Sequence, residues 1–326
     1  MSDPTPTAPT PGPAREAIIA VRDEVSKVVV GQDAAVSGLL AAVLVRGHVL
    51  LEGVPGVAKT LLAKALAASL DLDVTRVQFT PDLMPSDVTG QLVLDEGVGE
   101  LRWRPGPVFT NVLLADELNR TPPRTQAALL EAMEERQVSA DATIRPLPEP
   151  FVVIATQNPL ELEGTYPLPE AQLDRFLFKL VVGYPAEADE LEVLRRHDAG
   201  LDVHDVREAG VRAVADRAVL AAARSEVAAV RVEERVLAYV LAVARATRDA
   251  RELRLGVSPR GAAMLLHAAK AWAWLAGRAF VSPDEVKAVA RPVFRHRLQL
   301  APELEIEGVT TDRVLEQILE RVPTPT

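Results

Sequence analysis

The chain has 326 residues, 48% of them hydrophobic and only 4% aromatic, so it is long enough for two domains with cores of aliphatic packing. It has no cysteine, which excludes disulfides, thiol catalysis and thiolate metal sites together. A formal charge of -10 argues against a protein that coats nucleic acid, and the five histidines (His48, His197, His204, His267, His296) have no paired ligand spacing.

The opening stretch, MSDPTPTAPTPGP, lacks a charged region followed by an apolar one, so it does not read as a secretory signal. Its proline and threonine content predicts a disordered tail over 1–13. The most apolar run, Ala34 to Val45, is too short to cross a bilayer, and a cytoplasmic protein without membrane insertion is expected.

Ile18, Ile19, Val21, Val25 and Val28 fall at helical spacing over 15–28. After a Gly31-Gln32 break, Asp33 reads as the N-cap of a second helix reaching Arg46. Short apolar runs predict strands at 48–52, 74–79, 112–115, 151–156 and 178–182, with a helix from Lys59 to Leu70. Strands alternate with helices, which predicts a parallel sheet covered on both faces. Two hairpins interrupt that rhythm, one at 91–104 around Gly97-Val98-Gly99 and one at 138–147. Strand signals stop after Gly183-Tyr184-Pro185, and helices are expected at 188–199, 212–225, 232–249, 259–276 and 283–297. The expected organisation is an α/β domain over 14–184 and a smaller, all-helical domain over 185–326.

The stretch GVPGVAKT, 53–60, joins the first strand to the helix that opens with Lys59. It nearly fits the phosphate-binding pattern G-x-x-x-x-G-K-[ST]. Free N–H groups at a helix N-terminus and the helix dipole both favour phosphate there. Lys59 can reach the β- and γ-phosphates, the Thr60 hydroxyl can ligate magnesium, and Gly53 and Gly56 are available for unusual backbone angles. Ala58 departs from the pattern, at no cost if its angles are right-handed and at about 1–2 kcal/mol if they are left-handed. The third strand ends in Asp116-Glu117, one acid to hold a magnesium shell and the next to polarise the attacking water. Asn158, at the end of the fourth strand, would meet them at the carboxyl ends of the sheet and orient the water. Arg175 supplies a cation for transition-state charge across a subunit boundary, or else pairs within its own chain. Ser258-Pro259-Arg260 opens a lid helix and would bring a second cation to the γ-phosphate.

In the order GVPGVAKT, LLADELNR, IATQNP, LDRF, SPR, the chain resembles the AAA+ ATPases, specifically the MoxR branch, over about residues 15–300. That branch carries both inserted hairpins, and alanine before the loop lysine is usual in it. The resemblance implies ATP and Mg2+ as cofactors. Gly53, Val54, Pro55, Gly56, Val57, Ala58, Lys59, Thr60 and Leu61 would form the phosphate loop, and Val30, Gly31 and Gln32 would line the adenine pocket. It also implies Thr60 and Asp116 at the metal, Glu117 as catalytic base, Asn158 as sensor 1, Arg175 as the trans-acting arginine finger and Arg260 as sensor 2. Arg120 and Arg124 resemble basic residues near the subunit interface in related proteins. A hexameric homo-oligomeric ring that remodels a protein partner, one with a von Willebrand factor A domain, is the expected function.

A magnesium-chelatase-like ATPase subunit, a helicase-like nucleic-acid translocase and a nucleotide-gated scaffold are the alternatives. Arg145 is the only basic residue of the 138–147 hairpin, which is poor provision for tracking nucleic acid. The basic cluster Arg291, Arg295, His296, Arg297 lies near Asp284 and Glu285 and reads as a solvated or interface face.

Overall fold

The computed structural model describes residues 12–95, 97, 99–141, 143–159, 164–203 and 205–325. Residues 1–11 of the expected tail lie outside the described residues, as do Val98 of the first hairpin turn and His204. The chain divides into two compact units, 20–217 and 218–326, the second taking in residues up to 19.

The first unit holds α1 (Pro13–Ser26, from Ala20 onward), α2 (Asp33–Leu44), β1 (Val49–Glu52), α3 (Lys59–Ser69), β2 (Val74–Gln78) and α4 (Pro85–Thr89). It continues through β3 (Gly90–Asp95), β4 (Glu100–Pro105), β5 (Val112–Asp116), α5 (Pro123–Glu135), β6 (Gln137–Ala140), β7 (Thr143–Pro146) and β8 (Val152–Gln157). It closes with α6 (Glu170–Leu173), β9 (Phe178–Val181) and α7 (Glu187–Asp198). Five strands form one parallel sheet in the order β2-β5-β8-β1-β9. The inner strands β1, β5 and β8 are buried along almost their whole length, as strands covered on both faces must be. Leu50, Leu113, Ala115 and Val153 from these strands share a core with Phe79, Leu129, Leu130 and Phe176. His48 enters β1 as a structural residue: its Nδ1 accepts the Val153 N–H at 3.0 Å and its Nε2 lies 3.2 Å from the Met133 carbonyl. That pattern requires a neutral ring carrying its proton on Nε2.

Both expected hairpins are present, β3–β4 with Leu92 opposite Trp103 and β6–β7 with Ser139 opposite Ile144. The Arg145 guanidinium stacks on the Trp103 ring at 4.0 Å, joining one hairpin to the other.

The second unit holds α8 (Arg217–Ala229, from Ala218 onward), α9 (Glu234–Asp249), β10 (Leu253–Leu255), α10 (Pro259–Leu275), α11 (Pro283–Phe294), β11 (Gln299–Leu300), α12 (Pro302–Ile306) and α13 (Thr311–Arg321). Its helices start where the sequence supplies caps. Ser258 Oγ accepts the Gly261 N–H, and Ser282 and Glu285 make a reciprocal capping box. Arg295 forks onto Asp312 at 2.6 and 3.1 Å, Arg291 lies 3.5 Å from Glu316, and His296 and Arg297 are buried. The basic cluster is therefore largely internal.

Four local expectations change. Strand signals stop near 184, yet the first unit runs on to 217, and the second unit contains the antiparallel pair β10–β11 among its helices. The helix expected at 212–225 starts only at Arg217, because the Val214 and Ala215 N–H groups donate to the Ser69 carbonyl at 3.0 and 3.3 Å and hold that segment out of a helix. Asp33 is not a cap: α2 begins at Asp33 itself, behind Gln32, and the acid serves the positive end of the helix dipole.

Candidate nucleotide site

The strand order sets the ends of β5, β8 and β1 side by side, at spacings of about 4.8 Å. Lys59 and Thr60 follow β1, Asp116 ends β5 with Glu117 next after it, and Asn158 follows β8. Five residues expected at a phosphate centre from separate parts of the chain thus meet on one edge of the sheet.

The loop between β1 and α3 uses its glycines for two different reasons. Gly56 has φ +87°, a region where side chains are rare. Gly53 needs no unusual angle; a Cβ there would collide with the Val182 carbonyl oxygen, so its role is close approach. Ala58 takes the left-handed conformation, φ 63° and ψ 21°, immediately before α3. The costly alternative weighed for this alanine is the one realised. The Lys59 ammonium donates to the Gly53 carbonyl at 2.5 Å and reaches toward the Gln157 carbonyl at 3.4 Å. The first turn of α3 leaves backbone N–H groups that the helix itself cannot satisfy.

At the end of β5 the two acids are held by neighbouring strands. Asp116 Oδ1 accepts the Thr156 hydroxyl at 2.5 Å, while Oδ2 accepts the Arg76 guanidinium at 2.7 and 3.1 Å. Glu117 turns left-handed, φ 55° and ψ 48°, and its N–H donates to the Thr156 hydroxyl at 2.9 Å. Such an angle on a non-glycine residue costs about 1–3 kcal/mol and persists where the surroundings fix it. The Glu117 carboxylate accepts Gln78 Nε2 at 2.6 Å and pairs with Arg120 at 3.1 Å. Arg124 is exposed in the first turn of α5.

Beside the loop lies a cavity of about 400 Å³, the size of an ordinary small-molecule pocket. Val28, Val29, Val30 and Gln32 line one side, and Gly56, Val57, Ala58 and Leu61 form its floor. Gly31 is left-handed beneath Asp189, and Gln32 Nε2 donates to the Gly183 carbonyl at 3.0 Å. The far wall comes from Tyr184, Pro185 and the α7 side chains Val193, Leu194 and His197. Arg196 supports that wall by donating to the Ser26 and Lys27 carbonyls at 2.7 and 2.8 Å.

Arg175 stands apart from this edge, between α6 and β9, with its Nε 2.7 Å from Glu134 of α5. Arg260 is exposed on the first turn of α10, in the second unit. Sequence reasoning missed Arg76, Gln78, Thr156, Glu134 and the α7 wall. Arg76 and Gln78 carried a faint signal, as polar residues two apart near the end of a strand.

Magnesium suits the donors present. Among the described residues no three acids or histidines gather into a cation cage. A hard cation that takes one carboxylate and the oxygens of a bound triphosphate needs none. Thr60 and Asp116 are the residues that would supply that short donor set.

Residues 48–178 match the ATPase family associated with various cellular activities (AAA), and residues 245–318 match the AAA lid domain. YeaC of Bacillus subtilis is 45% identical over 93% of both chains. Chaperone MoxR1 of Mycobacterium tuberculosis is 41% identical over 93% of this chain and 81% of its own length. Protein MoxR of Methylorubrum extorquens is 35% identical over 95% of this chain and 96% of its own. A crystal structure of a candidate ATPase from Cytophaga hutchinsonii superposes with a TM-score of 0.88 at 42% identity, covering 96% of each chain.

Proposed function

The chain belongs to the MoxR family of AAA+ ATPases, and from that premise we propose that it hydrolyses Mg2+-bound ATP at the β1–β5–β8 edge to remodel a protein partner. The observation that carries this reading is the convergence of Lys59, Asp116, Glu117 and Asn158 on adjacent strand ends. The adenine fills the cavity between Val30 and Tyr184. Lys59 exchanges the Gly53 carbonyl for the β- and γ-phosphates, and the backbone N–H groups of the loop receive the phosphate oxygens. Thr60 and Asp116 would hold the magnesium ion, which would supply positive charge to offset that of the phosphate oxygens. Glu117 takes the proton of the attacking water, Asn158 orients that water, and the bond between the β,γ-bridging oxygen and the γ-phosphorus breaks.

Arg175 acts on the nucleotide of a neighbouring subunit, which implies head-to-tail contacts closing into a ring, taken as hexameric. Arg260, sensor 2 by the resemblance, is the proposed second cation. The name of the mycobacterial relative, a chaperone, supports a protein client, and a partner with a von Willebrand factor A domain is the proposed one. Arg145, the only cation of the second hairpin, is engaged by Trp103 and by the Ala140 carbonyl at 2.9 Å, which argues against a strand-tracking loop.

Two variants test the chemistry. Lys59→Ala is expected to abolish tight ATP binding, whereas Glu117→Gln keeps binding and loses hydrolysis, because only the base is removed. Equilibrium nucleotide binding and phosphate release measure both, and wild-type hydrolysis by Glu117→Gln would refute the assignment.

A further inference from the structure

We propose that Thr156 is the positioning residue for both acids of the site, acting through its single hydroxyl; this rests on the ATPase reading above. Thr156 is 1% exposed and sits at the end of β8. Ala115 pairs with Ala155, so the next residue on each strand brings Asp116 level with Thr156. A threonine hydroxyl has one proton and two lone pairs. A backbone N–H can only donate, so the Glu117 amide occupies a lone pair at 2.9 Å, and the proton goes to Asp116 Oδ1 at 2.5 Å. The direction of both bonds is therefore fixed by chemistry, with no freedom for the hydroxyl to rotate.

Two consequences follow at the reacting centre. Asp116 is tied through Oδ1, so Oδ2, now on Arg76, is the oxygen left to exchange its partner for a cation or its water. Glu117 is tied through its main chain at the left-handed angle from which its carboxylate meets Gln78 and Arg120. One buried proton donor thus sets the metal ligand and the base relative to each other. Thr156 does not touch the reacting atoms and acts only through the two acids.

The test compares Thr156→Val, which keeps the shape and loses the hydroxyl, with Thr156→Ser, which keeps the hydroxyl. One readout is Mn2+ affinity of the protein–ADP complex, measured by electron paramagnetic resonance; the other is phosphate release against Mg2+ concentration. Thr156→Val is expected to bind ADP alone as the wild type does. Its Mn2+ affinity and turnover should each fall by about 10–100-fold, the usual range when the support of a metal ligand is lost. Thr156→Ser should recover both. Should Thr156→Val melt before assay, Thr156→Ala against Thr156→Ser, expressed per bound nucleotide, gives the same comparison. Wild-type Mn2+ affinity and turnover in the hydroxyl-free variants overturn the proposal, as does failure of serine to restore them. Glu117→Gln run alongside separates the two levels. If it is inactive while Thr156→Val is active, only the role of Thr156 falls; if it too is active, Glu117 as the base falls; and if the wild type releases no phosphate from ATP, the ATPase reading itself falls.

Discussion

Replacing Ala58 with glycine tests the phosphate loop through its backbone. At φ 63° and ψ 21° the alanine Cβ crowds its own carbonyl, which costs about 1–2 kcal/mol relative to glycine. Glycine in turn brings more unfolded-state freedom, worth roughly 0.5–1 kcal/mol against folding. The midpoints favour Ala58→Gly by about 0.75 kcal/mol, within a span of roughly 0–1.5 kcal/mol. For a cooperative unit of this size the midpoint is a rise in Tm of roughly 1.5–3 °C. Thermal unfolding followed by circular dichroism, without nucleotide, measures it. Affinity for ATP should change by less than about tenfold, since every N–H donor of the loop is retained. A lower Tm for Ala58→Gly would mean that the alanine is not strained as its angles imply. A large gain in turnover would mean that the natural loop is a weakened site.

Arg175→Ala should bind ATP normally and lose on the order of 10³-fold in turnover; mixed with Lys59→Ala it should regain activity that neither variant has alone, and a dead mixture despite co-assembly refutes action in trans. Glu134→Gln removes the acid that holds Arg175 at 2.7 Å; half-maximal turnover should then come at up to about fivefold lower protein concentration, the scale of a partly exposed ion pair, and an unchanged concentration profile counts against a resting Arg175–Glu134 pair. Burial pushes the Glu24 carboxyl up, but hydrogen bonds from Lys27 and the Arg212 N–H outweigh it and hold the group below its ordinary 4.5. Its contribution to stability is present above 4.5 and lost as pH falls through the lower folded value; Glu24→Gln should therefore destabilise at pH 7 and match the wild type in strong acid, and a stability gap independent of pH would contradict this.

The parts of the site carried by contiguous residues were legible in the sequence. The loop at 53–60 and the acids after Val112-Leu113-Leu114-Ala115 declare themselves because strands buried on both faces read as unbroken apolar runs. Asn158 followed from the same logic one strand along. Thr156, Gln78 and Arg76 were not legible, because each acts across the sheet and its partner depends on strand register. The hand of Ala58 is a backbone angle, which composition does not encode. The α7 wall of the cavity belongs to a helix with no buried residue, so its pattern gave no reason to place it against a ligand. Strands β10 and β11, with three residues and two, are too short to show a period of two.

The partners of the acid pair also govern how a polyanion approaches. Asp116 and Glu117 would by themselves present two negative charges beside the place where a triphosphate must arrive. Arg76 on one and Arg120 on the other cancel that pair locally, leaving the Lys59 ammonium as the excess charge among these five groups. On the proposed reading an arriving nucleotide would meet a weakly attractive field, and each guanidinium would have to leave its carboxylate before that acid could serve a cation or a water.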